Sequence, residues 1–360
     1  MILAAVIDYR DIIFVRAGVN HQERLFTALL MLVLSLFCGL RIWGNDTQTY
    51  REIFEYLTPT LGNITAKDIP EFSSGIGLFY ISSFLKTIGF SSQDYLMVFA
   101  FATVIPYVWF VHRYSYSMVL GVFLMFTTGF YTFSLAAIKQ CMATGLCLVA
   151  VSAALDRKPI RYFVFVGAAM LFHPYAVVYL LVPLMMFKPW TGKTWFYFLV
   201  FILSGFYLET LLGTVLDITD MMGANYSVKE FLGEGVNVFR VMVSFVPMLL
   251  AFLCGKTLFR NFTQTDNLMF NLAMVNGLIM FVGLFGTANY FARLANYFLP
   301  GQIITLPCIF KSVHPRDRKW LVPACIVGYI GFFIYENAII RPFDHNYSFM
   351  TLWTYLASLF

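Results

Sequence analysis

Apolar residues occur in long runs along most of this chain, and short polar segments separate the runs. Runs that approach about 20 residues are typical of membrane-spanning helices. The candidate spans are residues 25–41, 95–111, 117–133, 138–155, 161–173, 175–187, 195–212, 239–255, 267–287, 290–310 and 320–339. The pattern predicts an all-α, polytopic integral membrane protein with about 11 transmembrane helices. We expect residues 1–360 to form a single transmembrane domain.

The run from residue 161 to residue 187 is divided by His173 and Pro174. Proline lacks a backbone N–H and breaks a helix in its interior. We therefore expect two short segments that meet at His173, rather than one long tilted helix.

The most basic loops set the expected orientation, because Lys and Arg are enriched in cytoplasmic loops of membrane proteins. These loops are residues 156–161, 188–193, 256–260 and 311–319. If all four lie in the cytoplasm with the N-terminus, then the loops 42–94 and 213–238 and the segment after Arg341 face outward. Residues 76–90 then do not cross the membrane, and we expect a helix lying in the outer interface there.

Composition supports a membrane location and argues against nucleic acid as a partner. Hydrophobic residues make up 60% of the 360 residues and charged residues 12%, whereas a soluble chain is about a quarter charged. The formal net charge of +5 is spread over the loops, which favours contact with anionic lipid headgroups over nucleic acid. The six cysteines have no metal-ligand spacing, and no nucleotide-binding motif occurs. The expected partner is the lipid bilayer, and no cofactor is predicted.

Isolated cations near the predicted outer ends of the spans are the first candidates for function, since charge beside a membrane helix is costly without a partner. The set comprises Arg41, Lys139, Arg240 and Arg293. Arginine binds phosphate through two parallel hydrogen bonds and lysine binds it as a point charge. Together they suit a diphosphate headgroup. The alternative is that each side chain extends to the interface or pairs with a loop acid.

Two carboxylates, Asp46 and Glu71, lie in the predicted outer loop with these cations. Glycosyl transfer to a hydroxyl needs a base for the acceptor proton and positive charge at the leaving group. Asp46 is the expected base or acceptor-orienting residue, Glu71 is the next candidate, and His173 is an expected hydrogen-bond donor. Solvated loop acids and a packed histidine are the alternatives. No metal is required, although a divalent ion on Asp46 stays open.

A polar and aromatic stripe is predicted around Arg293. Tyr290, Arg293 and Tyr297 share one face if this segment is helical. Such a stripe suits a sugar or a lipid headgroup. An interfacial aromatic belt is the alternative.

Four patterns, in chain order, resemble the EpsG family of membrane polysaccharide-assembly proteins, a Wzy-like polymerase group. They are Arg41 with Gly44-Asn45-Asp46-Thr47 and Tyr50; Lys139-Gln140-x-x-Ala143; Phe172-His173-Pro174-x-Ala176; and Arg293 followed by Tyr297-Phe298. Through these patterns, Tyr50 and Gln140 join the expected substrate-binding residues. Lys139 and Tyr175 stand where the family usually has arginine and serine. The N-terminus also lacks one hydrophobic span of the family.

The resemblance implies a glycosyltransferase with an architecture like the integral-membrane GT-C type, whose first external loop carries an essential acid, here Asp46. It implies that polyprenyl-diphosphate-linked repeat units of an O-antigen, capsule or exopolysaccharide are joined on the outer, periplasmic face of a bacterial cytoplasmic membrane. A chain-length regulator and a flippase are the protein partners considered. The alternatives are a flippase or exporter of the same lipid-linked oligosaccharide, and an acetyltransferase, which would need a donor path from the cytoplasm.

Overall fold

The structure is a computed structural model and describes residues 21–70, 75–210, 233–340 and 347–359. Glu71, most of the predicted outer loop 213–238 and the first 20 residues lie outside these ranges.

The described residues are mostly helical. The α-helices are α1 (His21–Gly39), α2 (Thr47–Glu52), α3 (Ile76–Thr87), α4 (Ser92–Tyr114), α5 (Met118–Thr127), α6 (Phe130–Phe133), α7 (Ile138–Leu155), α8 (Pro159–Phe172), α9 (Gly192–Phe206), α10 (Val238–Cys254), α11 (Gln264–Val282), α12 (Ala288–Asn296), α13 (Leu299–Ser312), α14 (Pro315–Ile334) and α15 (Leu352–Ala357). Turns of 3-10 helix cover Leu61–Asn63, Pro174–Met185 and Lys256–Asn261, and π-helical turns cover Ile53–Leu57 and Tyr335–Ile340. Two short strands, β1 (Arg41–Trp43) and β2 (Ser348–Phe349), form an antiparallel pair.

Within the described ranges, four helices are long and apolar enough to cross a membrane. They are α4, α7, α11 and the helix Pro315–Ile340, which comprises α14 and the π-helical turns after it. Shorter apolar helices accompany them, among them α5, α8, α9 and α10. Of the predicted all-α membrane protein, the mostly helical structure with apolar helices of membrane length is confirmed, and the number of crossings and the GT-C-like architecture stay predictions.

The expected interruption at His173 is confirmed. Helix α8 ends at Phe172, His173 has an extended backbone with φ −152° and ψ 115°, and 3-10 turns follow from Pro174. The sequence predicted a single span over residues 290–310. The structure instead divides this run into two helices, α12 and α13. Pro300 lies in the first turn of α13, where a missing N–H leaves no bond unmade. The proline therefore starts a helix inside an apolar run.

The chain divides into two compact units. The first comprises residues Met1–Leu181 and Phe333–Phe360, and the second comprises Val182–Phe332.

Helices α1 and α4 run antiparallel in the first unit. The Thr27 hydroxyl bonds His112 Nδ1 at 3.0 Å near one end of the pair, and the Gln93 amide bonds the Gly39 carbonyl at 2.6 Å near the other. Helix α7 packs on α4, and α8 packs on α7. We call the end with Gly39 and Gln93 the motif end, and the end with His112 the basic end.

The basic end carries an ion pair between Arg113 and Asp156 at 3.4 Å, and Asp156 is the first residue of the predicted cytoplasmic loop 156–161. Helix α7 has 18 residues and is therefore about 27 Å long, close to the thickness of a bilayer core. Its first turn, with Lys139, belongs to the motif end. The predicted cytoplasmic loop and Lys139 are thus separated by about one membrane thickness.

Helix α3 contacts the motif end at two places, one at its start and one near its end. At its start, a Cβ added to Gly75 would lie 2.7 Å from the Phe172 carbonyl oxygen at the end of α8. Near its end, Lys86 Nζ donates to the carbonyls of Phe54 and Glu55 at 3.0 and 2.8 Å. Phe54 stacks on Tyr95 in the first turn of α4. The interfacial position expected for residues 76–90 stays a prediction.

In the second unit, α9, α10, α12 and α13 pack against α11. Buried side-chain amides donate hydrogen bonds to backbone carbonyls that have no partner within their own helix. Asn276 of α11 donates to the Ala295 carbonyl at 2.8 Å, in the last turn of α12 where helical partners run out. Pro247 lacks the N–H that would bond the Val243 carbonyl, and Gln302 donates to that carbonyl at 2.9 Å instead.

Candidate functional site

Arg41 is a buried cation at the motif end, with 1% of its surface exposed. It is the first residue of β1, and only Leu40 separates it from the end of α1. Its Nε donates to the Thr47 hydroxyl at 3.1 Å, and its Nη1 donates to the Cys38 carbonyl and lies 3.2 Å from the Cys38 sulfur. Among the residues that the structure describes, no carboxylate lies within ion-pair distance of Arg41, and Nη2 has no hydrogen-bond partner.

The end of α1 explains how the arginine is held. The last carbonyls of a helix lack partners within the helix and attract cations. Here the Cys38 carbonyl accepts from Arg41, the Gly39 carbonyl from Gln93, and the Leu40 carbonyl from the Met350 backbone N–H at 2.9 Å. Within the described residues, the guanidinium is thus held by neutral groups.

A tight turn follows and carries Asp46. Gly44 and Asn45 both have positive φ values, +115° and +45°. The Thr47 N–H closes the turn on the Gly44 carbonyl at 3.1 Å. Asp46 precedes α2, is exposed and makes no side-chain capping bond. Within the described ranges its carboxylate has no hydrogen-bond or ion-pair partner.

Lys139 and the His173 segment meet at Gly75. A Cβ added to Gly75 would lie 3.3 Å from Lys139 Cδ and 2.7 Å from the Phe172 carbonyl oxygen. Gly75 has a φ of +86°, and only glycine adopts this backbone without strain. His173 is half-buried, and its ring packs edge-on against Tyr175 at 4.9 Å between centroids. The structure therefore brings two of the sequence-predicted motifs together.

The remaining candidates of the first unit are placed differently. Tyr50 lies half-buried in α2, and its backbone N–H donates to the Asp46 carbonyl at 3.0 Å. Gln140 is buried in α7. Glu71 falls outside the described residues, four positions before Gly75 in the sequence.

Arg240, Arg293, Tyr290 and Tyr297 belong to the second unit. Arg240 is half-buried in the first turn of α10, and Arg293 is exposed on α12. Tyr290 is half-buried, whereas Tyr297 is completely buried just past the end of α12. The three members of the expected stripe therefore differ in exposure.

Sequence reasoning did not single out two residues that hold the motif end. Gln93 is buried and bonds the backbone on both sides of Leu40. Tyr347, near the C-terminus, contacts the turn at Gly44 and Asn45. The polar start of α4, Ser91-Ser92-Gln93-Asp94, was the only local signal for the first of them. In the part of the chain that is described, no cluster of three or more His, Cys, Asp or Glu residues could hold a metal ion.

These features define an integral membrane protein with a buried arginine, which has no counter-charge among the described residues, and an exposed carboxylate at the same end of a helical unit. The sequence matches the model of the EpsG family over residues 24–360, so the chain belongs to the EpsG family. The predicted resemblance is thereby confirmed. The family indicates a polysaccharide polymerase or glycosyltransferase-like membrane protein. No curated protein and no solved structure matches the chain.

Proposed function

We propose that this protein joins oligosaccharide repeat units carried on polyprenyl diphosphate into a surface polysaccharide. The reaction would take place at the motif end, facing the outside of a bacterial cytoplasmic membrane. Arg41 and Lys139 would hold the diphosphate of the donor, and Asp46 would accept the proton of the acceptor hydroxyl. Arg240 and Arg293 remain proposed headgroup ligands on the basis of the sequence.

The burial of Arg41 is the observation that carries this proposal. A charge removed from water costs several kcal/mol unless a counter-charge or several hydrogen bonds compensate it. Arg41 receives neutral partners only, within the described ranges. A ligand with two or more negative charges would supply the missing compensation, and a diphosphate meets the fork of the guanidinium with two oxygens.

The proposed reaction is a single displacement at the anomeric carbon of the donor sugar. The acceptor hydroxyl transfers its proton to the Asp46 carboxylate while its oxygen forms a bond to the anomeric carbon. The bond between that carbon and the diphosphate oxygen breaks, and the diphosphate leaves with the electron pair. Arg41 and Lys139 stabilise the charge that develops on the leaving group. His173 would donate a hydrogen bond to the same group.

The distribution of charge along the first unit supports the orientation. Arg113, Arg157, Lys158 and Arg161 lie at or beside the basic end, and cytoplasmic loops are enriched in such residues. The motif end would then face outward. About 11 crossings and a GT-C-like architecture belong to the same proposal. The proposed partners are lipid-linked glycans, the bilayer, a chain-length regulator and a flippase.

Variants of Arg41 test the proposal in liposomes that contain purified protein and lipid-linked repeat units, with ladder growth on a gel as the readout. We expect Arg41→Gln to lower the rate per folded molecule by about 10²- to 10³-fold and to weaken binding of polyprenyl diphosphate. Arg41→Lys keeps the charge but loses the fork, so it should lie between wild type and Arg41→Gln. Arg113→Gln, at the basic end, is the matched control. Absence of ladder growth with wild type, or wild-type growth with Arg41→Gln, would overturn the proposal.

The break between α12 and α13 favours a second candidate, a flippase or exporter of the lipid-linked oligosaccharide. Discontinuous membrane helices are common at the binding sites of transporters. In that case the cations would bind the headgroup without chemistry. The same liposomes distinguish the two functions, because both substrates are supplied on one side and ladder growth needs no transport.

A further inference from the structure

The segment Tyr347–Ala357 packs on the motif end. Phe349 of β2 stands opposite Arg41 of β1, and Ser348 stands opposite Trp43. The rings of Phe37 and Phe349 lie 4.6 Å apart. Farther along, the Tyr355 hydroxyl donates to Asp94 at 2.7 Å. Two separate anchors thus attach the end of the chain to the first unit.

Tyr347 contacts both residues of the turn that have positive φ values. The Asn45 side-chain amide donates to the Tyr347 hydroxyl. The Tyr347 ring lies so close to Gly44 that an added Cβ would overlap it. These two residues directly precede Asp46, so their backbone angles determine where the Asp46 carboxylate points.

We propose that Tyr347 is a positioning residue that fixes the Asp46 carboxylate toward the acceptor hydroxyl. The inference rests on the proposed role of Asp46 as the base. Asparagine adopts a positive φ more often than most residues, but the conformation still costs free energy and persists where the surrounding structure holds it. The ring of Tyr347 covers Gly44, and its hydroxyl holds Asn45, so this one side chain restricts both. A displacement of about 1 Å can lower a catalytic rate about 100-fold.

Tyr347→Phe and Tyr347→Ala test the proposal in the liposome assay. We expect Tyr347→Phe to lower kcat about 10-fold and Tyr347→Ala about 100-fold, while KM for the lipid-linked substrate stays within about two-fold. Arg41 and Lys139 still bind the diphosphate in both variants, so substrate affinity is retained. Asn45→Gly removes the same hydrogen bond without backbone strain. The double variant with Tyr347→Phe should be no slower than the slower single variant, because both remove one interaction.

Tyr355→Phe is the matched control, since it removes a hydroxyl from the same segment at the anchor away from the turn. Burial raises the pKa of Tyr355 to about 12, so its hydroxyl is protonated and donates to Asp94 throughout the assay. We expect the kcat of this variant to stay within about two-fold of wild type. Equal loss in Tyr355→Phe and Tyr347→Phe, or a change confined to KM, would overturn the proposal.

A readout without catalysis separates this inference from the proposed function. The rate at which a water-soluble maleimide labels Asp46→Cys should change several-fold when Tyr347→Ala is added, with the unfolding temperature measured in parallel. An unchanged labelling rate would overturn the positioning role even if the enzyme is active. A changed rate together with no ladder growth in wild type would support the positioning of residue 46 and overturn the polymerase function.

Discussion

The side-chain amide of Gln93 donates to the Gly39 carbonyl at 2.6 Å and joins the start of α4 to the end of α1. The same nitrogen lies 3.4 Å from the Arg41 carbonyl, and the Gln93 oxygen accepts from Arg51 Nη1 at 3.2 Å. One buried amide therefore holds the backbone before and after Leu40. Since Arg41 has no compensating carboxylate in the described ranges, its direction depends on neutral contacts of this kind.

We expect Gln93→Leu to destabilise the first unit. The change leaves the Gly39 carbonyl without its partner, and an unsatisfied buried polar group costs about 1–3 kcal/mol. Thermal unfolding of purified protein in detergent measures the loss. Gln48→Leu is the control, because its amide only bonds Glu52 within α2, at 2.9 Å, and such a pair contributes about 0.2–0.5 kcal/mol. Equal unfolding temperatures for wild type and Gln93→Leu would show that the bridge contributes nothing.

Asp46→Asn should separate binding from chemistry. Asparagine keeps the shape of the side chain but cannot take the acceptor proton, and loss of a general base lowers a rate about 10²- to 10⁴-fold. Binding of the lipid diphosphate should be at least as tight, because a like charge near it is removed. Titration with polyprenyl diphosphate and ladder growth are the two measurements. Growth at the wild-type rate would transfer the role of base to another acid, with Glu71 next in line.

The pairing of β1 with β2 leads to a prediction about topology. Asn45→Cys and Ser348→Cys should both react with a membrane-impermeant thiol reagent from outside intact cells, because paired strands lie on one side of the membrane. Asp156→Cys should react only after the cells are opened. A label on Asn45→Cys that requires opened cells would reverse the orientation and remove the proposed site from the outer face.

Arg293 is exposed on α12, which makes its variants informative about ligand binding rather than folding. We expect Arg293→Ala to abolish polymer formation while the protein inserts and accumulates normally. Arg293→Lys should also be poor, because a bidentate grip on phosphate is lost. Polymer on a gel and protein in the membrane fraction are compared for each variant. Normal polymer from both would indicate that Arg293 only extends to the interface.

Local patterns predicted the parts of the site that depend on neighbouring residues. Hydrophobic runs, proline and glycine were enough to predict three local features. These are the motif with Arg41 and Asp46, the break at His173 and the helix α3. The meeting of Lys139 with Phe172 at Gly75 was consistent with the predicted outer ends of both helices. The division of 290–310 was missed because its apolar content is continuous and Pro300 is tolerated in a first helical turn.

Contacts between distant segments could not be predicted. Gln93 reaches Gly39 across 54 positions, and Asn45 meets Tyr347 across 302. A glutamine in the first turn of a helix and a tyrosine near a terminus carry no periodic signal for the partner they meet. Likewise, Met350 and Gln93 bond the carbonyls at the end of α1 beside the buried Arg41, whereas the sequence alone only placed Arg41 beside a span.

The pairing of β1 with β2 also affects when the protein can complete its fold during translation. A chain grows at about 5–20 residues per second, so Arg41 is inserted tens of seconds before Phe349, its strand partner, is translated. Until then the Leu40 carbonyl lacks Met350, and the Gly44 turn lacks Tyr347. Under the proposed function, the motif end would therefore become competent only when nearly the whole polypeptide has entered the membrane, and an incomplete nascent chain would not consume lipid-linked precursor.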